Sequence, residues 1–269
     1  MTRRDDSRDF IEAIARGLDV LRAFRPARPS MTLREVAEAA DLARPTARRI
    51  LYTLESLGYV RSTEGAYALT PRVLELGMTY LQSMNLWDIA RPHMEALSAA
   101  TGESSSMAQL DGSDIVYVAR AAVPKIIALG VSIGTRFPAP PTSLGKALLA
   151  DLSDDELRAV LAEPSRSGIT PRWQPTHDEL VAALDEVRDR GWALTDEQLA
   201  PGIRSVAAPV RGRDGRAVAS LNVTVHAAET PVSTLLDDHL PLLLAAAEAI
   251  SADWTAYQSL PQTQRDRSF

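Results

Sequence analysis

Residues 32–57, TLREVAEAADLARPTARRILYTLESL, leave little choice of local structure. Thr32 stands where it can cap a helix, and Glu35 three residues later can reach back to close a capping box. Leu33, Val36, Ala37 and Ala40 then recur at helical spacing. Asp41–Leu42–Ala43–Arg44 reads as a tight turn, and Pro45 suits the opening of a second helix, where its missing N–H is not needed. On that helix Ala47, Ile50, Leu51, Leu54 and Leu57 form an apolar stripe, while Arg48, Arg49, Tyr52 and Thr53 face away. No acid lies between Asp41 and Glu55. A helix with an apolar back and a front of guanidinium, hydroxyl and aromatic groups suits the major groove of DNA. Arginine pairs there with guanine edges or phosphates, and Thr46 and Thr53 can reach bases or backbone. The competing reading is an ordinary surface helix hairpin whose basic face is merely solvated.

The next residues favour DNA. Gly58–Arg61 reads as a strand, Ser62–Gly65 as a turn ending in glycine, and Ala66–Leu69 as a second strand. A hairpin directly after a recognition helix makes a wing, which places Arg61 and Thr63 along the phosphates; alternatively the hairpin only seals a small core through Tyr59 and Tyr67. Upstream, a helix from Phe10 carries Ile11, Ile14, Ala15, Leu18 and Leu21 or Arg22 around its stripe and ends at Arg25–Pro26. It is the expected scaffold for the other two helices. The candidate DNA contacts are therefore Thr32, Arg44, Pro45, Thr46, Arg48, Arg49, Tyr52, Thr53, Arg61 and Thr63.

Net charge is −6, which looks wrong for a partner of DNA until it is divided. Residues 1–72 hold 13 arginines against 10 acids, a balance of +3, and the remainder holds 16 basic against 25 acidic residues, or −9. A basic head on an acidic body orients the molecule toward phosphates. Cysteine is absent, which excludes disulfides and thiolate chemistry and fits a cytoplasmic protein. No apolar run approaches bilayer length, and MTRRDDSRDF lacks the apolar core of a secretory signal, so no membrane partner is expected.

The expected organisation is a disordered arm (1–9), a winged helix-turn-helix (10–71), linker helices (72–101), an effector-binding domain (102–258) and a solvated tail (259–269). Thr70–Pro71 opens the linker, with Val73, Leu74, Leu76, Tyr80, Leu81 and Met84, and Pro92 stands where it would kink or restart a helix. Beyond Gly102, strands are expected at Ser104–Leu110, Asp114–Ala121, Ile126–Val131, Trp192–Asp196, Ile203–Val210 and Ala217–Val225. A stiff proline-rich loop, 134–141, leads into a helix Leu144–Leu152; further helices start at Ser153, Thr176 and Pro231. Strands and helices so arranged make an α+β domain on a mainly antiparallel sheet.

Nothing in this body proposes a catalyst. His93, His177, His226 and His239 are scattered without metal-ligand spacing. Gly145–Lys146 is followed by Ala147 rather than the Ser or Thr of a phosphate loop, and no G-x-S-x-G elbow exists. No catalytic residue, metal or cofactor is expected. The alternative to a DNA-binding regulator is a small-molecule enzyme or sensor whose N-terminal helices serve only protein contacts.

The segments Ile11–Leu69, GTRFPA (134–139) with TSLGKALLA (142–150), and GIRSVAAPV (202–210) resemble the IclR family of bacterial transcription regulators, and the likeness covers residues 10 to about 258. RDFIEAIARGLDVLRAF and RFPAPPTSLGKALLADL look most like the members that govern aromatic-acid breakdown through the β-ketoadipate pathway. The resemblance implies a GAF-like effector domain, a homodimer through the DNA-binding part, a tetramer of paired dimers, and a small carboxylate effector. Matched by segment, it puts Ile126, Leu129, Ser143, Leu144, Asp196, Ile203, Ser205, Asn222 and Thr224 on the pocket wall. Leu144 is bulkier than the alanine of some glyoxylate-responsive members, so ligand identity does not carry over; protocatechuate, β-ketoadipate and 4-hydroxybenzoate are the acids suggested. A carboxylate leaving water needs charge-assisted donors. Arg120, Arg136 and Arg204 lie on or beside those segments, each with a surface salt bridge as its alternative. Arg120, ending a strand amid apolar residues, is the expected anchor.

Overall fold

The computed structural model describes residues 9–25, 27–78, 86–124 and 130–259, and the chain divides into two units at Met84/Asn85. The first unit contains α1 (Glu12–Ala23), β1 (Ser30–Thr32), α2 (Leu33–Ala39), α3 (Arg44–Ser56), β2 (Val60–Thr63) and β3 (Ala66–Leu69). Thr32 and Glu35 close the capping box at the start of α2. Asp41 adopts φ 53° in the turn, the left-handed region that a short polar side chain tolerates. One core holds this unit together: Val20 and Phe24 of α1, Met31 of β1, Val36 of α2, Leu51 and Leu54 of α3, and Val60 of β2. Each such side chain is worth about 1.5–3 kcal/mol on burial.

The face of α1 differs from expectation. Val20 and Phe24 point inward, while Ile11 (60 % exposed), Ile14 (59 %) and Leu18 (45 %) form a second apolar face open to solvent. Leu57 also lies outside, because α3 ends there and the chain turns away. The wing is tighter than the sequence implies. Glu64 and Gly65 both have positive φ, 51° and 81°, so the turn is two residues long and Ser62 and Thr63 belong to β2. Strand β1 was not foreseen. It pairs with β3 at Met31↔Tyr67 and gives the order β1-β3-β2. Thr70 caps a short 3₁₀ turn, Pro71–Val73, and residues 74–78 continue as helix. Tyr80, Leu81 and Met84 of the expected linker lie outside the described residues.

The second unit is built on a six-stranded antiparallel sheet ordered β6-β5-β4-β9-β8-β7, from β4 (Ser104–Asp111), β5 (Asp114–Ala121), β6 (Arg136–Pro138), β7 (Ala193–Asp196), β8 (Ile203–Arg211) and β9 (Ala217–His226). Helices α4 (Leu86–Thr101) and α8 (Leu240–Ser259) pack on one face; a turn at Val232–Thr234 and a π-helical turn at Leu235–His239 lead into α8. On the other face lies α5 (Ser143–Leu149), against which α7 (His177–Arg190) packs, with α6 (Asp154–Ala162) between them in sequence. Alternation along β4 decides which side chain goes where. Ser105 bonds to Ser98 and the Met94 carbonyl of α4, so Ser106 and Ala108 face α5.

Helix α4 runs unbroken through Pro92 rather than restarting there, and its residues Trp87, Ala90, Met94 and Leu97 are buried in the second unit. The expected strand at Ile126–Val131 falls largely on residues outside the description; Val131 itself is not in a strand. Instead β6 forms inside the proline-rich loop, where Asp114↔Pro138 and Val116↔Arg136 pair it to β5. It is an edge strand, where a proline without N–H is tolerated. The following helix ends at Leu149, three residues early. Gly145 within it has no substitute: a Cβ there would lie 2.0 Å from the Ala139 carbonyl oxygen. No described helix is long and apolar enough to cross a membrane.

Candidate functional site

Two sites emerge, one on each unit. On the first, the outward face of α3 is open: Arg44, Arg48, Arg49 and Thr53 are exposed, Tyr52 is 72 % exposed, and Thr46 is half-buried. The side chains of Arg44, Arg48, Arg49 and Arg61 make no hydrogen bond or ion pair among the described residues. By contrast, Arg16, Arg34 and Arg72 are held by Glu12, Glu38 and Glu75. Four guanidiniums therefore keep every donor available. The hydroxyl of Thr53 is turned inward onto the Arg49 carbonyl at 3.0 Å. Thr32 is engaged in its capping box, where its backbone and hydroxyl hold the Glu35 carboxylate below the usual range. Pro45 is exposed and shapes the start of α3 without donating. Arg61 and Thr63 are exposed on β2, and the Ser62 N–H donates to Glu55 of α3 at 3.1 Å, which ties the wing to the helix.

On the second unit a cleft opens between the α5 face of the sheet and the loops above it. Its lining includes six of the expected wall residues, Ser143, Leu144, Ile203, Ser205, Asn222 and Thr224. Ile126 and Leu129 are outside the described residues. Asp196 is not in the lining; its carboxylate accepts from Arg204 at 2.8 Å on the outside of β7. Alternation explains it, because Ala193 and Thr195 are buried and Asp196 is exposed, so Thr195 faces the cleft. Tyr117, Phe137, Pro141, Thr142 and Leu199 complete the wall and were not anticipated. The cleft is tight, with about 20 Å³ open to a water-sized body, room for one water. A ring-sized guest requires the walls to part.

The polar groups of the cleft form two sets. The Ser205 hydroxyl lies 2.7 Å from Ser143 and 2.9 Å from Thr195, a chain of three hydroxyls. The Asn222 amide donates to Thr224 at 2.9 Å and accepts from the Ser106 N–H at 3.1 Å, and Arg120 donates to the Ser106 hydroxyl at 3.0 Å. On β5 and β6, Tyr117 and Phe137 meet edge to face with centroids 5.8 Å apart. Tyr117 and Arg120 share a face only because Val118 bulges out of register between them. Burial pushes the Tyr117 phenol up to about 12 against the opposing pull of Arg120. Burial also lowers the Arg120 guanidinium, with Tyr117 acting the other way.

Arg120, the expected anchor, is likewise absent from the lining and is linked to it only through Ser106, whose N–H donates to Asn222, and the other two candidate arginines are taken. Arg204 is held by Asp196 and the Thr230 carbonyl, and Arg136 by Asp111 and Asp114. A buried lysine was also missed. Lys146 is 4 % exposed, donates to Gln198 at 2.6 Å and lies 4.4 Å from the centre of the Trp173 ring. Burial, reinforced by Arg190, lowers its amine to about 8. A larger, more open hollow between α6 and α7 carries Asp154, Asp178, Asp185 and His177. Among the described residues no cluster of three potential metal ligands occurs.

Comparison with known proteins places both units. Residues 13–64 match the model of the IclR helix-turn-helix domain, and residues 78–252 match that of the bacterial transcriptional regulator IclR C-terminal region. The chain is 38 % identical over 240 residues to the Pca regulon regulatory protein of Pseudomonas putida, covering 89 % of this chain and 82 % of that one. It is 32 % identical over 247 residues to the p-hydroxybenzoate hydroxylase transcriptional activator of Acinetobacter baylyi, covering 90 % and 91 %. Among solved structures, a transcriptional regulator from Rhodococcus sp. RHA1 superposes with a TM-score of 0.79 at 46 % identity, over 92 % of this chain and 99 % of that one.

Proposed function

The chain belongs to the IclR family of bacterial transcriptional regulators, and we propose from that premise an effector-controlled dimer that grips promoter DNA in the cytoplasm. Residues 10–71 are the DNA-binding head, 102–258 receive the effector, and 72–101 couple the two. The observation that carries this reading is the outward face of α3, where three guanidiniums have no internal partner beside a wing that offers a fourth. Arg44, Arg48, Arg49 and Tyr52 meet base edges and phosphates in the major groove, and Arg61 and Thr63 meet the flanking backbone.

Dimerisation is supported by the exposed face of α1. Phe10, Ile11, Ile14 and Leu18 form an apolar surface on a head that must otherwise hold it in water. Pairing two heads there presents two recognition helices to successive major grooves, about 34 Å apart; paired dimers complete a tetramer. The effector is a small carboxylate of aromatic-acid or β-ketoadipate metabolism. The names of the two relatives, a Pca regulon regulatory protein and a p-hydroxybenzoate hydroxylase transcriptional activator, support that class. The cleft of the second unit receives it.

Footprinting on DNA upstream of the chain's own gene and of neighbouring catabolic genes tests the proposal. Wild-type protein should protect two half-sites about one helical turn apart, and Arg48→Ala or Arg49→Ala should lose that pattern while keeping the fold. Variants that protect the same bases as wild type would remove α3 from the groove.

A further inference from the structure

We propose that the loop 197–202, between β7 and β8, is the door of the cleft, with Leu199 as its inner face, and that Lys146 on α5 is the latch that holds it shut. The door rests on the effector reading above; the latch does not.

The cleft as it stands has room for about one water, so a larger guest needs a wall to move. Most of the described lining is fixed. Thr195, Ser205, Asn222 and Thr224 stand in the antiparallel ladders of β7, β8, β9 and β4, where displacement breaks main-chain bonds. Tyr117 and Phe137 are held likewise in β5 and β6. Ser143 and Leu144 belong to α5, whose seven residues are all buried and whose Gly145 is too close to the Ala139 carbonyl to admit a Cβ. Thr142 is tied to that same carbonyl by its N–H and its hydroxyl. Leu199 differs. It lies in neither helix nor strand, on a loop held from outside by a few contacts.

Those contacts converge on Lys146. Its ammonium donates to the Gln198 side chain at 2.6 Å and lies 4.4 Å from the centre of the Trp173 ring. Trp173 also donates its backbone N–H to the Gln198 carbonyl at 2.8 Å, and Arg172 donates its own to the Leu199 carbonyl at 3.2 Å. Helix, loop and the segment leading into α7 therefore meet at one buried cation. Among the described residues no carboxylate is bonded to it, and Arg190 and Glu186 of α7 act on it in opposite directions. A neutral amide and a ring hold an ammonium less firmly than a carboxylate does, which suits a contact that must open. Lysine at this position also costs stability relative to an apolar side chain of its size, so stability does not account for it. The closed loop holds Glu197 at φ 52°, a strained position for a residue with a side chain, which an opened loop is free to leave.

Hydrogen exchange on the full-length protein without ligand tests the latch. The amides of Arg172 and Trp173 report on it, because their acceptors are loop carbonyls. In Lys146→Met and in Gln198→Met they should exchange about tenfold faster or more, and the double variant should add little to either single one. Amides of β8 and β9 should keep wild-type rates. Stopped-flow binding of 4-hydroxybenzoate tests the door: Lys146→Met and Leu199→Ala should each raise the association rate by about fivefold or more, because the open form is more populated or less obstructed. Wild-type exchange at Arg172 and Trp173 in both single variants overturns the latch. Faster exchange throughout β8 and β9 overturns it too, since Lys146 is then a prop of the whole core. Freed amides with an unchanged association rate overturn the door. If 4-hydroxybenzoate binds none of these proteins, the effector class proposed above fails, and the latch is decided by exchange alone.

Discussion

The arginines of the head make a quantitative prediction about salt. Arg44, Arg48, Arg49 and Arg61 are exposed and unpaired among the described residues, so the proposed dimer would bring eight free guanidiniums to the duplex. If every one displaces a counterion, the slope of log K against log salt approaches about −7, at about 0.9 per phosphate neutralised. Affinity should then fall by roughly four orders of magnitude between 50 and 200 mM salt, the fourfold change raised to that power. Removing one phosphate-bound arginine from each protomer should flatten the slope by about 1.8. Removing one that reads a base should relax specificity and change the slope less. Alanine is the best helix former, so substitution at Arg48 or Arg49 leaves α3 intact. Fluorescence anisotropy on a labelled operator from 50 to 200 mM potassium chloride measures the slope, with thermal melts confirming the fold. Slopes that stay at wild-type values in all four single variants, with affinity unchanged, would refute the assignment of these side chains to DNA.

Three further outcomes follow from local geometry. Gly145→Ala drives a methyl into the Ala139 carbonyl, a backbone atom that cannot rotate aside, and should destabilise the second unit by about 3 kcal/mol in urea unfolding. Lys146 has its amine lowered to about 8 from an ordinary 10.5, so between those values the unfolded chain binds more protons and stability rises with pH. The gain is at most about 3 kcal/mol; Lys146→Met should abolish the rise, and a rise that persisted would assign it elsewhere. Gly65→Val should cost the head about 1–2 kcal/mol in a melt because φ 81° is a left-handed position.

Local chemistry was readable and facing was not. The capping box expected at Thr32 needs only residues three apart, and it forms; the helix starts expected at Ser153 and Thr176 also carry boxes. The α3 stripe was likewise readable because its apolar positions sit on a single arc. Helix α1 carries two apolar arcs, and spacing alone does not say whether Ile14 or Val20 looks inward. Strands β1 and β6 have three residues each, too few for alternation to register. In the cleft, a single position separated the expected Asp196 from the observed Thr195. The extra residue at Val118 swings Arg120 onto the face of Tyr117, and simple alternation from Tyr117 points the wrong way.

Thr32 has an effect beyond its cap. It ends β1, opens α2 and stands opposite Ala66 of the hairpin, while Glu55 clasps the other strand from the end of α3. Hairpin and helices are stitched at both margins, so the hairpin has no hinge of its own on which to flex. On the function proposed above, a regulatory signal reaching such a block would shift or turn it whole rather than bend its fingers.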